Sequence, residues 1–215
     1  MPPALHPQLV ARLEQLAAGP RRLLGVVGPP GAGKSTLAAL MAQALGERAQ
    51  AVPMDGYHLA QVELERLGRA QRKGAPDTFD AAGYAALLQR LRQQGEQEIV
   101  YAPDFRREIE EPVAGALPVF AHTPLVITEG NYLLLEDDPA WAPVARLLDE
   151  VWYLQVDADL RLERLTARHM QFGRTREQAL SWIAQTDEPN ARRIEASARR
   201  AHRRVHWNGA SGQFE

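Results

Sequence analysis

Between Arg22 and Leu45 an apolar run, a glycine-rich loop and a helical pattern follow one another without a break, and few folds accommodate that order. Arg22-Leu23-Leu24-Gly25-Val26-Val27 has the length and composition of a buried parallel strand. Gly28-Pro29-Pro30-Gly31-Ala32-Gly33-Lys34-Ser35 fits G-x-x-x-x-G-K-[ST] throughout. Thr36 to Leu45 carries apolar residues at helical spacing and stops at Gly46, a helix C-terminal signal. In such a unit the loop N–H groups and the helix N-terminus face a phosphate together. Gly28 to Thr36 then cradle a nucleoside triphosphate, with Lys34 between the β- and γ-phosphates and Ser35 on Mg²⁺. A glycine-rich turn without a ligand is the bland alternative, and the strand–loop–helix context argues against it.

Lys34 is also one of only two lysines, the other being Lys73, in a chain whose remaining cations are arginines. In a chain drifted towards arginine, a retained lysine marks a place where a compact point charge serves better than a planar fork. A phosphate loop is such a place.

The length of 215 residues suits one well-packed α/β domain. A net charge of −2 without a basic tail or Lys/Arg block argues against a nucleic-acid partner. With no cysteine, disulfide and thiolate chemistry are excluded. No apolar stretch approaches membrane-spanning length and Met1 to Leu5 lack a signal-peptide layout, so a soluble cytoplasmic protein is expected.

Along the chain, His6–Ala18 reads as an amphipathic helix and Ala49–Met54 as a second strand ending at Asp55. Tyr57–Arg72 is polar and ambiguous, Gly74–Asp77 is a turn, and Asp80 is the N-cap of a helix through Gln94. Glu98–Tyr101 is a short strand and the charged stretch Asp104–Pro118 reads as a loop. Leu125–Thr128 and Val151–Val156 are buried strands, with a helix over Pro139–Leu148 between them. Helices follow over Ala158–Gln171, Thr175–Gln185 and Pro189–Ala201, then an edge strand, Arg204–Trp207. Alternating strands and helices imply a parallel sheet with helices on both faces, a three-layer α/β/α sandwich. Ligands collect at the carboxyl ends of such strands, where Gly28, Asp55 and Glu129 all fall.

Asp55 directly follows a strand, so it suits a base that takes the proton of an attacking hydroxyl. Asp55-Gly56 is equally a turn dipeptide, and the spacing leaves both readings open. Glu129 suits an acid that holds Mg²⁺ through water or polarises the acceptor; a solvated strand-end carboxylate is its alternative. Arg164 and Arg168 share a helix face one turn apart, with Arg174 beyond Gly173. They form a mobile flap over the triphosphate or, in an arginine-rich chain, ordinary surface pairs with Glu163 and Glu177. The four tryptophans, at 141, 152, 182 and 207, fit packing better than ligand stacking, and His58, His122 and His169 lack metal-ligand spacing.

Gly28–Ser35, Asp55-Gly56-Tyr57, the run Lys73-Gly74-Ala75-Pro76-Asp77-Thr78-Phe79-Asp80, Glu129-Gly130 and the arginine flap occur in the order of a known group. Over roughly residues 20 to 205 they resemble the uridine kinase, pantothenate kinase and phosphoribulokinase superfamily of P-loop kinases. The likeness is greatest to a branch labelled nucleoside or fructose-transport-system kinases. The resemblance implies a single P-loop NTPase domain over 1–215 with a helical lid at about 161–178, using ATP and Mg²⁺. It implies Asp55 as the catalytic base, with Lys34, Glu129 and Arg168 in catalysis, Ser35 and Glu129 at the metal, and Arg164, Arg168 and Arg174 on the phosphates. Contacts to a small-molecule acceptor are expected from Asp55, Tyr57, His58, Lys73, Asp104, Glu129 and Asn190, and relatives often form dimers or tetramers, so a homodimer is one expected state. Lys73 matches a segment of pantothenate kinases. Uridine kinases carry Tyr-Asp-Phe and then a histidine; here Pro103-Asp104-Phe105 and Glu108 stand in those places, which argues against a uridine or cytidine acceptor.

The expected activity is transfer of a γ-phosphoryl group from ATP to a hydroxyl of a nucleoside, sugar or pantothenate-like alcohol. A regulatory P-loop ATPase without an acceptor is the competing class. A GTPase is excluded because no Asn-Lys-x-Asp guanine motif is present.

Overall fold

The computed structural model describes residues 2–215. The strands are β1 (Ala4–Leu5), β2 (Arg22–Val27), β3 (Ala49–Pro53), β4 (Ile99–Arg106), β5 (Glu111–Phe120), β6 (Leu125–Gly130), β7 (Glu150–Gln155), β8 (Arg203–Asn208) and β9 (Gln213–Phe214). The α-helices are α1 (Pro7–Leu16), α2 (Lys34–Leu45), α3 (Gln61–Arg66), α4 (Ala81–Arg92), α5 (Ala142–Ala145), α6 (Ala158–Gln171), α7 (Arg176–Trp182) and α8 (Glu188–Ser197).

Seven strands form one sheet in the order β1-β9-β8-β7-β2-β6-β3. The run from β8 to β3 is parallel throughout, and only β9 lies antiparallel to β8. Alternate residues of the central strands face opposite sides, as the two-residue pleat requires. Leu23, Val27, Val126, Val151 and Tyr153 join one core with α4, Tyr132 and Trp141. Leu24, Val26, Leu125, Ile127, Trp152 and Leu154 join the other with α1 and α2. This is the three-layer α/β arrangement with a mostly parallel sheet.

Local signals fix the helix ends. Gly33 (φ 97°) and Gly46 (φ 58°) bracket α2 in conformations that a β-carbon disfavours. The Asp80 carboxylate accepts the Gly83 N–H at 2.8 Å and starts α4, which ends at Arg92. Thr175 and Gln178 form a reciprocal capping box on α7. Beyond α7 the chain continues without a break through a π-helical turn, Ile183–Asp187, into α8, so the two helices expected there are one bent run.

Three expectations are corrected. Asp104–Pro118 is not a loop: β4 and β5 pair antiparallel from Ile99↔Phe120 to Arg106↔Glu111, leaving only 107–110 as a turn. The ribbon has two strands only, so its outward edges accept charges and Pro112 and Pro118 without losing a sheet partner. Pro139–Leu148 forms a single helical turn, α5; Pro143 lacks the N–H to extend a helix backwards. Arg204–Trp207 lies in β8, which is not an edge, because the two-residue strands β9 and β1 continue the sheet beyond it.

Behind the sheet ends, buried aromatics hold the loops. The Tyr84 hydroxyl donates to Thr128 Oγ1 at 2.6 Å, and Thr128 donates onward to the Val52 carbonyl at 2.7 Å. The chain after β3 passes so close to β4 that a β-carbon on Gly56 would lie 2.4 Å from the Pro103 carbonyl oxygen. A backbone atom cannot swing aside. Gly56→Ala is therefore expected to destabilise the fold by about 1–3 kcal/mol, read as a lower midpoint in urea unfolding.

Candidate functional site

The register of three adjacent strands assembles the site. Val27 of β2 pairs with Gly130 of β6, and Pro53 of β3 pairs with Glu129. The glycine loop after β2, Glu129 near the end of β6 and Asp55 in the 3₁₀ turn Met54–Tyr57 after β3 therefore meet at one edge. They border a cavity of about 740 Å³.

The loop is shaped for close approach. Gly31 has φ 80°, and a β-carbon there would lie 2.7 Å from Leu165 Cγ. One on Gly28 would lie 2.9 Å from the Leu154 carbonyl oxygen. No side chain caps α2, so its first N–H groups are free for a ligand in the cavity that Gly33, Lys34, Ser35 and Thr36 line. The Lys34 ammonium donates to the Pro29 carbonyl at 3.2 Å. Burial lowers its pKa, and the carboxylates of Glu129 and Asp55 oppose that shift. The Ser35 hydroxyl donates to Glu129 Oε1 at 2.8 Å. Glu129 is 5% exposed; burial, then the neighbouring Asp55, raises its pKa, while Lys34 pulls it down.

Helix α6 lies across the loop. Arg164 donates to the Ala32 carbonyl at 3.2 Å and stands over the Trp207 ring at 5.7 Å. The Arg168 side chain lines the cavity and makes no hydrogen bond or ion pair to the described residues. Arg174 donates to His169 Nδ1 at 3.0 Å and stacks on Trp182 at 3.9 Å. Because Nδ1 accepts, His169 Nε2 carries the proton and donates to Asp187 at 2.9 Å. The π-helical turn brings Thr186 and Asp187 to the cavity wall and Asn190 follows in α8. Arg161 is turned away, buried in an ion pair with Glu188 that ties α6 to α8.

His58, Lys73, Phe105, Arg107, Glu108 and Glu110 also line the cavity, beside Asp55. The His58 ring is wedged between Phe79 at 4.0 Å and Phe105 at 4.7 Å, and its Nδ1 donates to the Asp55 carbonyl at 2.8 Å. Burial lowers the His58 pKa, favouring the neutral ring. Arg107, in the β4–β5 turn, reaches Asp55 Oδ2 at 3.4 Å.

Most of the residues singled out in the sequence thus meet in one place: the loop, Asp55, His58, Lys73, Glu129, Arg164, Arg168, Arg174 and Asn190. Gly28, Pro29 and Ala32 of the loop do not line the cavity, and neither do Tyr57 and Asp104. Tyr57 packs edge-on against Tyr84 at 5.4 Å, with burial pushing its phenol up to about 12. Asp104 pairs with Arg106 at 3.4 Å. Trp182, expected as packing, lines the cavity under Arg174. Arg107 was not singled out at all; reading Asp104–Pro118 as a ribbon with a turn at its middle would have flagged that turn's residues.

Among the described residues no cluster of three His, Asp or Glu side chains could hold a metal alone. A hydroxyl beside a buried carboxylate, Ser35 and Glu129, instead fits a hydrated Mg²⁺ carried in with phosphate oxygens. No described helix is long and apolar enough to cross a membrane.

Residues 23–206 match the model of the phosphoribulokinase/uridine kinase family. The chain is 38% identical over 205 residues to the uncharacterized protein YggC of Escherichia coli K12, covering 93% of this chain and 83% of that one. It is 34% identical over 194 residues to "Putative uridine kinase C227.14" of Schizosaccharomyces pombe, covering 85% and 82%. Among solved structures, the "putative fructose transport system kinase" of Silicibacter sp. TM1040 superposes with a TM-score of 0.81 at 36% identity, over 91% of this chain and 98% of that one. The family match spans most of the chain and the fold agrees with it: the chain belongs to the phosphoribulokinase/uridine kinase family of P-loop kinases.

Proposed function

We propose that the chain is an ATP-dependent kinase that phosphorylates a hydroxyl of a small metabolite, with Asp55 as the base. The observation that carries this is the convergence of Lys34, the uncapped start of α2, Glu129 and Asp55 on one cavity. The loop N–H groups, Lys34 and the arginines of α6 bind the triphosphate. Ser35, with Glu129 behind it, would hold Mg²⁺, whose chemistry is to neutralise charge on the β- and γ-phosphates. Asp55 takes the proton of the acceptor hydroxyl as that oxygen bonds to the γ-phosphorus. The bond from phosphorus to the bridging oxygen breaks, and ADP leaves with its electron pair. Arg168, lacking a protein partner, is available for the charge on the transferring group.

The acceptor is a sugar, a nucleoside or a pantothenate-like alcohol. A coupled assay of ADP release, with ATP and Mg²⁺ and a panel of these three classes, tests the reading. Release that depends on one acceptor class is expected. Equal release without any acceptor would replace the kinase by a regulatory ATPase.

A further inference from the structure

Lys73 lines the cavity, yet its ammonium is already engaged: it donates to the Glu110 carbonyl at 2.6 Å and lies 5.4 Å over the Phe105 ring. Both contacts belong to the β4–β5 ribbon, which Lys73 meets from outside. Its own segment is held firmly, for Tyr132 donates to the Gly74 carbonyl and Trp141 Nε1 donates to the Pro76 carbonyl at 3.1 Å.

The ribbon's turn needs such a hold. Glu110 has φ 54° and is the only described residue other than glycine with a positive φ. A β-carbon disfavours that region, so neighbouring contacts must maintain it. Two do: Lys73 on the Glu110 carbonyl, and the Gln61 N–H on the Glu111 carboxylate at 2.9 Å. The turn they fix carries Arg107, whose guanidinium lies 5.9 Å over Phe105 and 3.4 Å from Asp55 Oδ2. Asp55 lines the cavity, and its Oδ1 makes no hydrogen bond to the described residues, so anchoring Oδ2 leaves one oxygen unpartnered.

We infer that Lys73 is a positioning residue: it holds the turn 107–110 so that Arg107 fixes the carboxylate of Asp55 with one oxygen free for the acceptor. Its role rests on the kinase reading of Asp55.

The test uses the full chain as wild type, Lys73→Met, Lys73→Arg, Arg107→Ala and the double variant Lys73→Met/Arg107→Ala. Amide hydrogen exchange is followed first, because it needs no acceptor. Lys73→Met is expected to speed exchange at residues 107–111 at least tenfold, with α2 unchanged and Lys73→Arg restoring most of the protection. Unchanged exchange at the turn overturns the inference, as does uniform acceleration across the chain.

Kinetics follow with the acceptor that drives ADP release fastest. Lys73→Met is expected to lower kcat about tenfold while the KM for ATP moves less than twofold. In the double variant the loss should match that of Arg107→Ala alone, because both changes break one relay. Losses that multiply would show that Lys73 acts independently of Arg107 and overturn the relay. Faster turn exchange in a protein that phosphorylates nothing would count against the kinase reading alone and leave the mechanical link in place.

Discussion

Asp55→Asn is expected to bind ATP with Mg²⁺ as the parent does and to transfer the phosphoryl group roughly 10²–10⁴-fold more slowly, the usual contribution of a positioned general base. Asparagine keeps the shape and can still face Arg107, which stands 3.4 Å from Oδ2. It cannot take a proton. Nucleotide affinity by titration calorimetry separates this effect from disruption of the site, and single-turnover transfer reads the loss. Equal transfer rates in the two proteins would remove Asp55 from the base role and leave it as a turn residue.

Lys34→Ala is expected to act earlier, on nucleotide binding itself. The ammonium stands beside two carboxylates, and removing it leaves Glu129 and Asp55 facing an incoming triphosphate with less compensation. Truncating one member of a buried charge cluster typically costs about 2–5 kcal/mol. A fall in ATP affinity of roughly 10²–10³-fold follows, with the far-ultraviolet dichroism unchanged. Retained binding and turnover would refute the phosphate-loop assignment.

The parts legible in the sequence are those whose cause is local. The β2–loop–α2 unit is readable because a glycine loop must follow a strand and precede a helix for its N–H groups to converge. Asp80 is readable because its carboxylate meets an N–H three residues on. The β4–β5 ribbon is not, because its charges look like solvated loop and the pairing of its two strands leaves no local signal. Arg107 and Asp55 are 52 residues apart, and Lys73 and Glu110 are 37 apart. Neither contact leaves a periodic trace, so Arg107 stayed hidden while Asp55, at a strand end, did not. The short α5 shows the converse: apolar spacing over Pro139–Leu148 is genuine, but the prolines let those side chains reach the core without helical backbone.

The two cores on opposite faces of the sheet have a consequence for how such a chain can diversify. The helix that presents the phosphate-binding N–H groups rests on one layer, with Leu37, Ala38, Met41 and Leu45. The β4–β5 ribbon and the segment after β3 rest on the other, through Phe79, Tyr84, Val100, Ala102, Val119 and Trp141. Tightly packed side chains transmit change mainly to those they touch. Mutational drift that reshapes the second layer is therefore insulated by the sheet from the first. On the kinase reading proposed above, such a chain can change its acceptor while keeping its phosphate loop.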